Sequence, residues 1–380
     1  MNTAITHWGY TPSGESIYLF RLTNASGASI ELTNLGASWV SAHMPDKHGI
    51  FENILLGYDN AEGYIKDTYY MGATVGRFAN RIHQASFSIK DTTYQLEKND
   101  GENTNHGGAS GFHKKIWQWE QIDSGIRFIL HSPDMEGGYP GNVHVKIEYQ
   151  FTETNELTIS YYGITDRPTY LNLTNHAYFN LSGDKRKITE HQLMIPVTRI
   201  LETTSQFIPT GHMQDVKDSP FDFTISHSIG MHLYDDDEQL HWNKGYNHCY
   251  ILKEESSDTL LTAAVLSDPF SGRKLTVRTD LPGVLLYTSG YLAPTPDIGV
   301  CLETQYFPDT PSHPHFPSCL LMPGGRVSPQ KYLHIRKITS PAVHTLTSSV
   351  SVWTAKTFLP PISFYSYICF TFVINKKATI

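Results

Sequence analysis

The chain has 380 residues, 39% of them hydrophobic and 17% charged, with a net charge of −8. That balance is enough to bury a sizeable core and argues against disorder over the whole length. An acidic chain without a Lys/Arg cluster of the kind a nucleic-acid surface needs is unsuited to nucleic acid, so no such partner is expected.

Residues 1–10 contain neither a basic nor an apolar region, so no signal peptide is expected. Helical periodicity is nearly absent. Alternating segments recur instead and predict strands over 28–32, 86–89, 127–130, 143–151, 157–162, 260–265, 275–277 and 284–287. Breakers separate them, among them Lys98-Asn99-Asp100-Gly101, the Gly-Gly-Tyr-Pro-Gly-Asn run at 137–142, and Ser271-Gly272-Arg273. Many short strands with such punctuation predict an all-β, antiparallel sandwich or barrel. No repeat of roughly 20–50 residues marks a propeller. No linker divides residues 1–335, which predicts one domain there and an atypical tail over 336–380. Within that tail the run 357–375 carries no charge. Its length is near that of a membrane span, about 20 residues, but paired prolines and scattered serines and threonines make it read as an aggregation-prone β segment. No membrane partner is expected.

Cys249, Cys301, Cys319 and Cys369 are scattered, without a CxxC pair, and read as reduced thiols of a cytoplasmic protein. Aromatic residues make up 12% of the chain; they suit a β-sandwich core first and the apolar faces of sugar rings second.

Two stretches carry the chemistry. Leu171-Asn172-Leu173-Thr174-Asn175-His176-Ala177-Tyr178-Phe179-Asn180-Leu181 and Cys301-Leu302-Glu303-Thr304-Gln305 each place one key titratable side chain in a neutral, strand-like run. A histidine can hold or release a proton near neutral pH and a carboxylate can accept one, so His176 and Glu303 across a pocket would form an acid–base pair. Further clusters are ambiguous from the residues alone. Gly72 to Ile82 offers Arg77, Asn80 and Arg81 as pocket donors or as solvated groups beside a bulge. Asn103-Thr104-Asn105-His106-Gly107-Gly108 is a loop that could approach a ligand closely, or a turn capped by His106. In Gly245-Tyr246-Asn247-His248, Asn247 could place an amide in the pocket or start a strand. HExxH, CxxC…CxxC, an acidic Ca²⁺ loop, a P-loop, a dinucleotide fingerprint and GxSxG are all missing, and His313-x-His315 lies among prolines as a surface loop. Neither metal nor cofactor is predicted.

Taken in order, GATVGRFANRI (72–82), NTNHGG (103–108), GFHKKIW (111–117), DMEGGYPG (134–141), LNLTNHAYFNLSG (171–183) and CLETQYFPDTPSHPHFP (301–317) closely resemble the aldose 1-epimerase (galactose mutarotase) family, from about residue 5 to residue 325. The resemblance implies a large antiparallel β-supersandwich that binds one aldose in an open cleft. It implies interconversion of the α and β anomers of free aldoses such as glucose, galactose or maltose. His176 matches the family's general acid and Glu303 its general base. Asn80, Arg81, His106 and Tyr178 match positions that contact sugar hydroxyls, with Asn247 beside them and Arg77 as support. Glu303 would start ionised and His176 protonated. The expected partner is a small-molecule aldose, and the expected assembly a monomer or homodimer. A phosphohexose epimerase and a non-catalytic sugar-binding β-sandwich are the alternatives.

The chain departs from the family pattern at three places. Asn247 stands where Asp is common, and Leu285 where a Gln is often found, so the far side of the sugar pocket is expected to differ. After Leu321-Met322-Pro323-Gly324 the pattern is lost at Gly325-Arg326-Val327, as a frameshift or an altered terminus would produce. The expectation is a loosely packed tail that leaves a sheet edge unpaired and is cleavable near Ser340.

Overall fold

In strand Val143–Phe151 every odd-numbered residue is buried, while His144 and Lys146 are exposed. A period of two places alternate side chains on opposite faces, and here one face is covered by other sheets. The computed structural model describes residues 1–255, 259–324 and 366–374. Three antiparallel sheets carry the architecture among them. A five-stranded meander runs in chain order from Asn2–Tyr10 to Phe51–Asn53. A nine-stranded sheet has the order Gln118–Ile122, Gly125–Ser132, Val143–Phe151, Glu156–Thr165, Ser366–Ile374, Arg273–Thr279, Leu261–Ser267, Gln192–Met194 and His227–Ser228. A six-stranded sheet has the order Tyr178–Phe179, Val300–Gln305, Gly283–Tyr287, Asn247–Ile251, Arg199–Thr203 and Pro209–Asp215.

One hydrophobic cluster joins all three. Phe20 and Trp39 enter from the first sheet, Phe128, Ile147 and Val277 from the second, and Leu286, Val300 and Leu302 from the third. Each such large side chain, fully buried, contributes roughly 1.5–3 kcal/mol relative to exposure. The α-helices among the described residues are Ala61–Ile65 and Glu238–Asn243. Both are short and begin at a capping side chain. Asn60 accepts from the amide of Gly63, and Asp237 from those of Gln239 and Leu240. The expected all-β class is what is found, and each of the predicted segments overlaps a strand.

The expected domain boundary near 335 and the expected cleavage point at Ser340 lie outside the described residues. Of the tail, Ser366–Ile374 is described, and its backbone pairs on both sides, with Glu156–Thr165 and with Arg273–Thr279. It therefore fills the gap where an open edge was expected. No helix among the described residues is long and apolar enough to cross a membrane.

A chain ending at Gly324 would leave both of those strands with unpaired edges, a template for aggregation. We expect it to lose its cooperative thermal transition and to precipitate at temperatures where the full chain is folded. Near-UV circular dichroism and light scattering check this, and an unchanged melting temperature would count against a structural role for Ser366–Ile374.

Candidate active site

The geometry of the site follows from strand register. Within Val300–Gln305, Val300 and Leu302 face the core, so Cys301 and Glu303 share the opposite face. Tyr178 stands opposite Cys301 in the ladder. Two residues back along one strand and two forward along the other, His176 comes to stand opposite Glu303. Its Nε2 lies 3.5 Å from Glu303 Oε1, and both side chains are buried. On the other flank, Leu285 pairs with Glu303 and Tyr287 with Cys301, while Asn247 pairs with Tyr287. One sheet face thus presents Tyr178, Cys301, Tyr287 and Asn247 in one row and Glu303 with Leu285 in the next.

His176 is fixed from behind. Its amide donates to the carbonyl of Ala73, its carbonyl accepts from Gly72, and Asn175 Nδ2 donates to the Gly72 carbonyl and to Tyr149 Oη. Facing it is a second wall built from the stretches at 72–82 and 103–108. Arg81–Ile82 pairs with Thr104–Asn105. Asn80 and His106, both in the left-handed region, hold each other: His106 N donates to the Asn80 carbonyl, and Asn80 N donates to His106 Nδ1 at 3.1 Å. Gly107 seals the joint, since with a φ of +84° a Cβ there would lie 2.0 Å from the Gly76 carbonyl oxygen. Arg81 is held by Asp100, Nε to Oδ2 at 2.6 Å, and its guanidinium lies 4.7 Å from the centre of the Phe207 ring.

Between these walls is a cavity of about 270 Å³. Of the residues singled out by sequence, Asn80, Arg81, His106, His176, Tyr178, Asn247 and Glu303 line it, and so does Leu285. Arg77 does not. Its Nε donates to Ser132 Oγ at 2.8 Å, and its terminal nitrogens donate to the carbonyls of Ser132, Pro133, Tyr139, Pro140 and Gly141. A guanidinium with that many buried carbonyl acceptors is committed to the turn beneath the site, not to a ligand. Tyr178 is partly committed too, because its hydroxyl donates to the Tyr69 carbonyl at 2.9 Å. Sequence reasoning missed Tyr69, Tyr70, Phe207, Tyr287 and Tyr291 on the cavity wall. Tyr287 was within reach, being two residues from Leu285 on a predicted strand. Phe207 sits in the left-handed region, which aromatic residues rarely occupy, and no local pattern announces it.

Burial dominates the electrostatics. It pushes the Glu303 carboxyl up to about 8, against the opposing pull of the Arg81 cation. Burial likewise pushes His176 down to about 4, opposed in part by its own backbone carbonyl. The pair therefore rests uncharged at neutral pH, with one titratable proton on Glu303, rather than in the ionised arrangement expected from proximity alone. Desolvation of both groups outweighs their mutual attraction. Both Glu303 oxygens are buried without a hydrogen-bond partner among the described residues, so the carboxyl is open to a ligand hydroxyl.

His106, His176 and Glu303 each place one potential ligand atom within 4.8 Å of the others, so a metal must be considered. The hydrogen bond from Asn80 N occupies the Nδ1 lone pair of His106 and assigns the ring proton to Nε2, on the cavity side. That ring therefore presents a donor where a metal needs a lone pair. A donor, a carboxyl and an imidazole around one cavity suit a polyhydroxylated ligand.

The aldose 1-epimerase family pattern matches residues 18–330. The chain belongs to the aldose 1-epimerase family. It is 33% identical to the aldose 1-epimerase of Escherichia coli K12 over 329 residues, 83% of this chain and 94% of that protein. It is 35% identical to the galactose mutarotase of Mus musculus over 331 residues, 84% and 94% of the two chains. The fold is likewise that of a galactose 1-epimerase from Lactobacillus acidophilus, with a TM-score of 0.77 at 23% identity over 98% of each chain. An aldose epimerase homologue from C. elegans gives the same TM-score, 0.77, at 24% identity over 93% of this chain and 97% of that one.

The raised Glu303 pKa has a cost in stability for this family member. A carboxyl raised from 4.5 to about 8 favours the fold below its unfolded value, and that contribution is lost as pH rises through about 8. Glu303→Gln removes the titration. We expect its melting temperature to gain on wild type between pH 4.5 and pH 8 by the equivalent of a few kcal/mol, on the order of 1.4 kcal/mol per pH unit at most. Calorimetry across that range checks it, and a constant difference would mean that Glu303 ionises freely in the fold.

Proposed function

We propose that this chain is an isomerase that interconverts the α and β anomers of free aldoses, with His176 and Glu303 as its proton-transfer groups. The observation that carries the reading is the 3.5 Å approach of His176 Nε2 to Glu303 Oε1 at the floor of one cavity. The reaction needs one proton removed from the anomeric hydroxyl and one delivered to the ring oxygen. The C1–O5 bond breaks, the aldehyde end rotates about C1–C2, and O5 attacks the other face. Nothing is oxidised and no group leaves.

In the cyclic complex, Glu303 as carboxylate accepts the O1 proton while His176 as imidazolium gives its Nε2 proton to O5. The open-chain state then faces a neutral carboxylic acid and a neutral imidazole, the arrangement that burial favours. Ring closure reverses both transfers. The same proton count serves throughout, so the active form is the pair holding a single titratable proton. Arg81 stabilises the carboxylate form of Glu303 through its charge. His106, as an Nε2–H donor, and the Asn80 and Asn247 amides recognise the remaining hydroxyls, and Leu285 faces the sugar where it offers no polar group.

Arg81, the cation lining the cavity among the described residues besides its neutral imidazoles, is already paired with Asp100. That supports free sugars over phosphorylated ones. Cys249, Cys301 and Cys319 are buried and form no disulfide among the described residues, which fits a reducing cytoplasm. Each chain carries every residue of the cavity, so monomer and homodimer serve equally.

Polarimetry of freshly dissolved α-glucose tests the reading. His176→Gln and Glu303→Gln should each lower kcat by about 10²–10⁴-fold, with KM within about threefold. Near-normal turnover in Glu303→Gln would sink the assignment of the base. The wild-type pH profile should be a plateau that falls below about pH 4, where His176 and Glu303 are both protonated and no base is left for the O1 proton, and above about pH 8, where the pair is left without a proton to give. Rates on glucose, galactose and maltose decide whether Leu285 sets selectivity; equal rates would show that it does not.

A further inference from the structure

The face of Val300–Gln305 that carries Glu303 also carries Cys301, two residues before it. Cys301 is fully buried, and its Sγ lies 3.6 Å from His176 Nδ1, the ring nitrogen that faces away from Glu303. Tyr178 and Tyr287 stand on either side of it in the ladder, their ring centres 6.1 Å apart. A small side chain between two tyrosines leaves room for the imidazole to settle over it, with the His176 ring 5.0 Å from Tyr178 and 6.4 Å from Tyr287. The imidazole thus has the thiol within hydrogen-bond reach of Nδ1 and the Glu303 carboxyl 3.5 Å from Nε2.

We propose that Cys301 is the positioning residue of His176: its thiol holds Nδ1 so that Nε2 stays aimed at Glu303 and at the sugar. This rests on the proton-transfer roles given above. Burial, followed by the Glu303 charge, keeps the sulfur protonated as a thiol. A thiol is a weak donor and a weak acceptor. Its sulfur accepts Nδ1–H when the ring is an imidazolium, and accepts it still when the ring has given its Nε2 proton to O5 and is neutral. A carboxylate at this point would hold the ring cationic and oppose release of the Nε2 proton. A weak sulfur acceptor keeps the ring in place without opposing loss of the Nε2 proton, as a reaction that runs its proton transfers forward and then backward requires.

The other groups facing His176 cannot take this part. His106 meets the ring edge-on at 5.2 Å, with its Nδ1 bound to Asn80. Tyr70 is 5.8 Å away, ring to ring, wedged also against His106 and His113. The Tyr178 hydroxyl is spent on Tyr69, and Glu303 lies on the side of the opposite nitrogen, 3.5 Å from it.

The test compares Cys301→Ala and Cys301→Ser with wild type by the pH dependence of kcat and KM and by the ¹⁵N shifts of the His176 ring. Cys301→Ala should lower kcat about three- to tenfold, the worth of one weak hydrogen bond, with KM changed less than twofold. Its acid limb should move to lower pH because the imidazolium has lost an acceptor. Cys301→Ser should recover most of the rate and return the limb toward its original position. Thermal melts identify either variant as folded. A Cys301→Ala enzyme with the wild-type rate and profile would overturn the proposal, and so would alanine and serine variants equally impaired at every pH. Absence of epimerase activity in wild type would instead sink the catalytic reading. In that case the ring shifts still decide about Cys301, since an unchanged Nδ1 signal in Cys301→Ala overturns the contact.

Discussion

Antiparallel pairing of Tyr178–Phe179 with Val300–Gln305 determines which side chains share a face, and a slip of one residue would turn Glu303 into the core and Leu302 into the cavity. The register is held from both sides. Val300 and Leu302 are packed in the core that joins the three sheets, and the flanking strand Gly283–Tyr287 presents Val284 and Leu286 to that same core. The hydrophobic effect thus sets the geometry of the cavity indirectly. It anchors alternate residues of each strand, and the residues between them have only the cavity to face.

The same packing creates the electrostatic tension of the site. Glu303 and His176 are each denied water, and each is driven toward its neutral form. A charge-separated pair at that depth would be costly, so both groups rest in their neutral forms. Such a site gives up stability for reactivity, a recurring trade at active centres. The supports that take the strain are polar but not catalytic. Arg77 pins the turn at 132–141, and Asn80 fixes the proton of His106.

Much of this was legible in the residues. Period-two patterning exposed strands such as Val143–Phe151, because one covered face forces strict alternation. His176 and Glu303 stood out as lone titratable groups in neutral strands, and the register of those strands explains why the two meet. What local sequence hides is anything set by a distant partner. Arg77 and Arg81 are four residues apart in similar surroundings, yet one turns to backbone carbonyls and the other to the cavity. The resting charge of the pair was likewise hidden, since it depends on burial rather than on neighbours in the chain. Ser366–Ile374 lies where the family pattern has lapsed; its residues read as a β segment, but only its hydrogen-bonding partners reveal its place between two strands of the largest sheet.

The place of that last strand bears on how the protein is made. Its two neighbours, Glu156–Thr165 and Arg273–Thr279, leave the ribosome long before it does, and they join to each other only through it. During synthesis the largest sheet therefore waits as two halves, and its seam closes only once Ser366–Ile374 has emerged. Throughout that interval two bare strand edges face a crowded cell, so chaperones that bind nascent chains have a defined target and a defined time at which to let go.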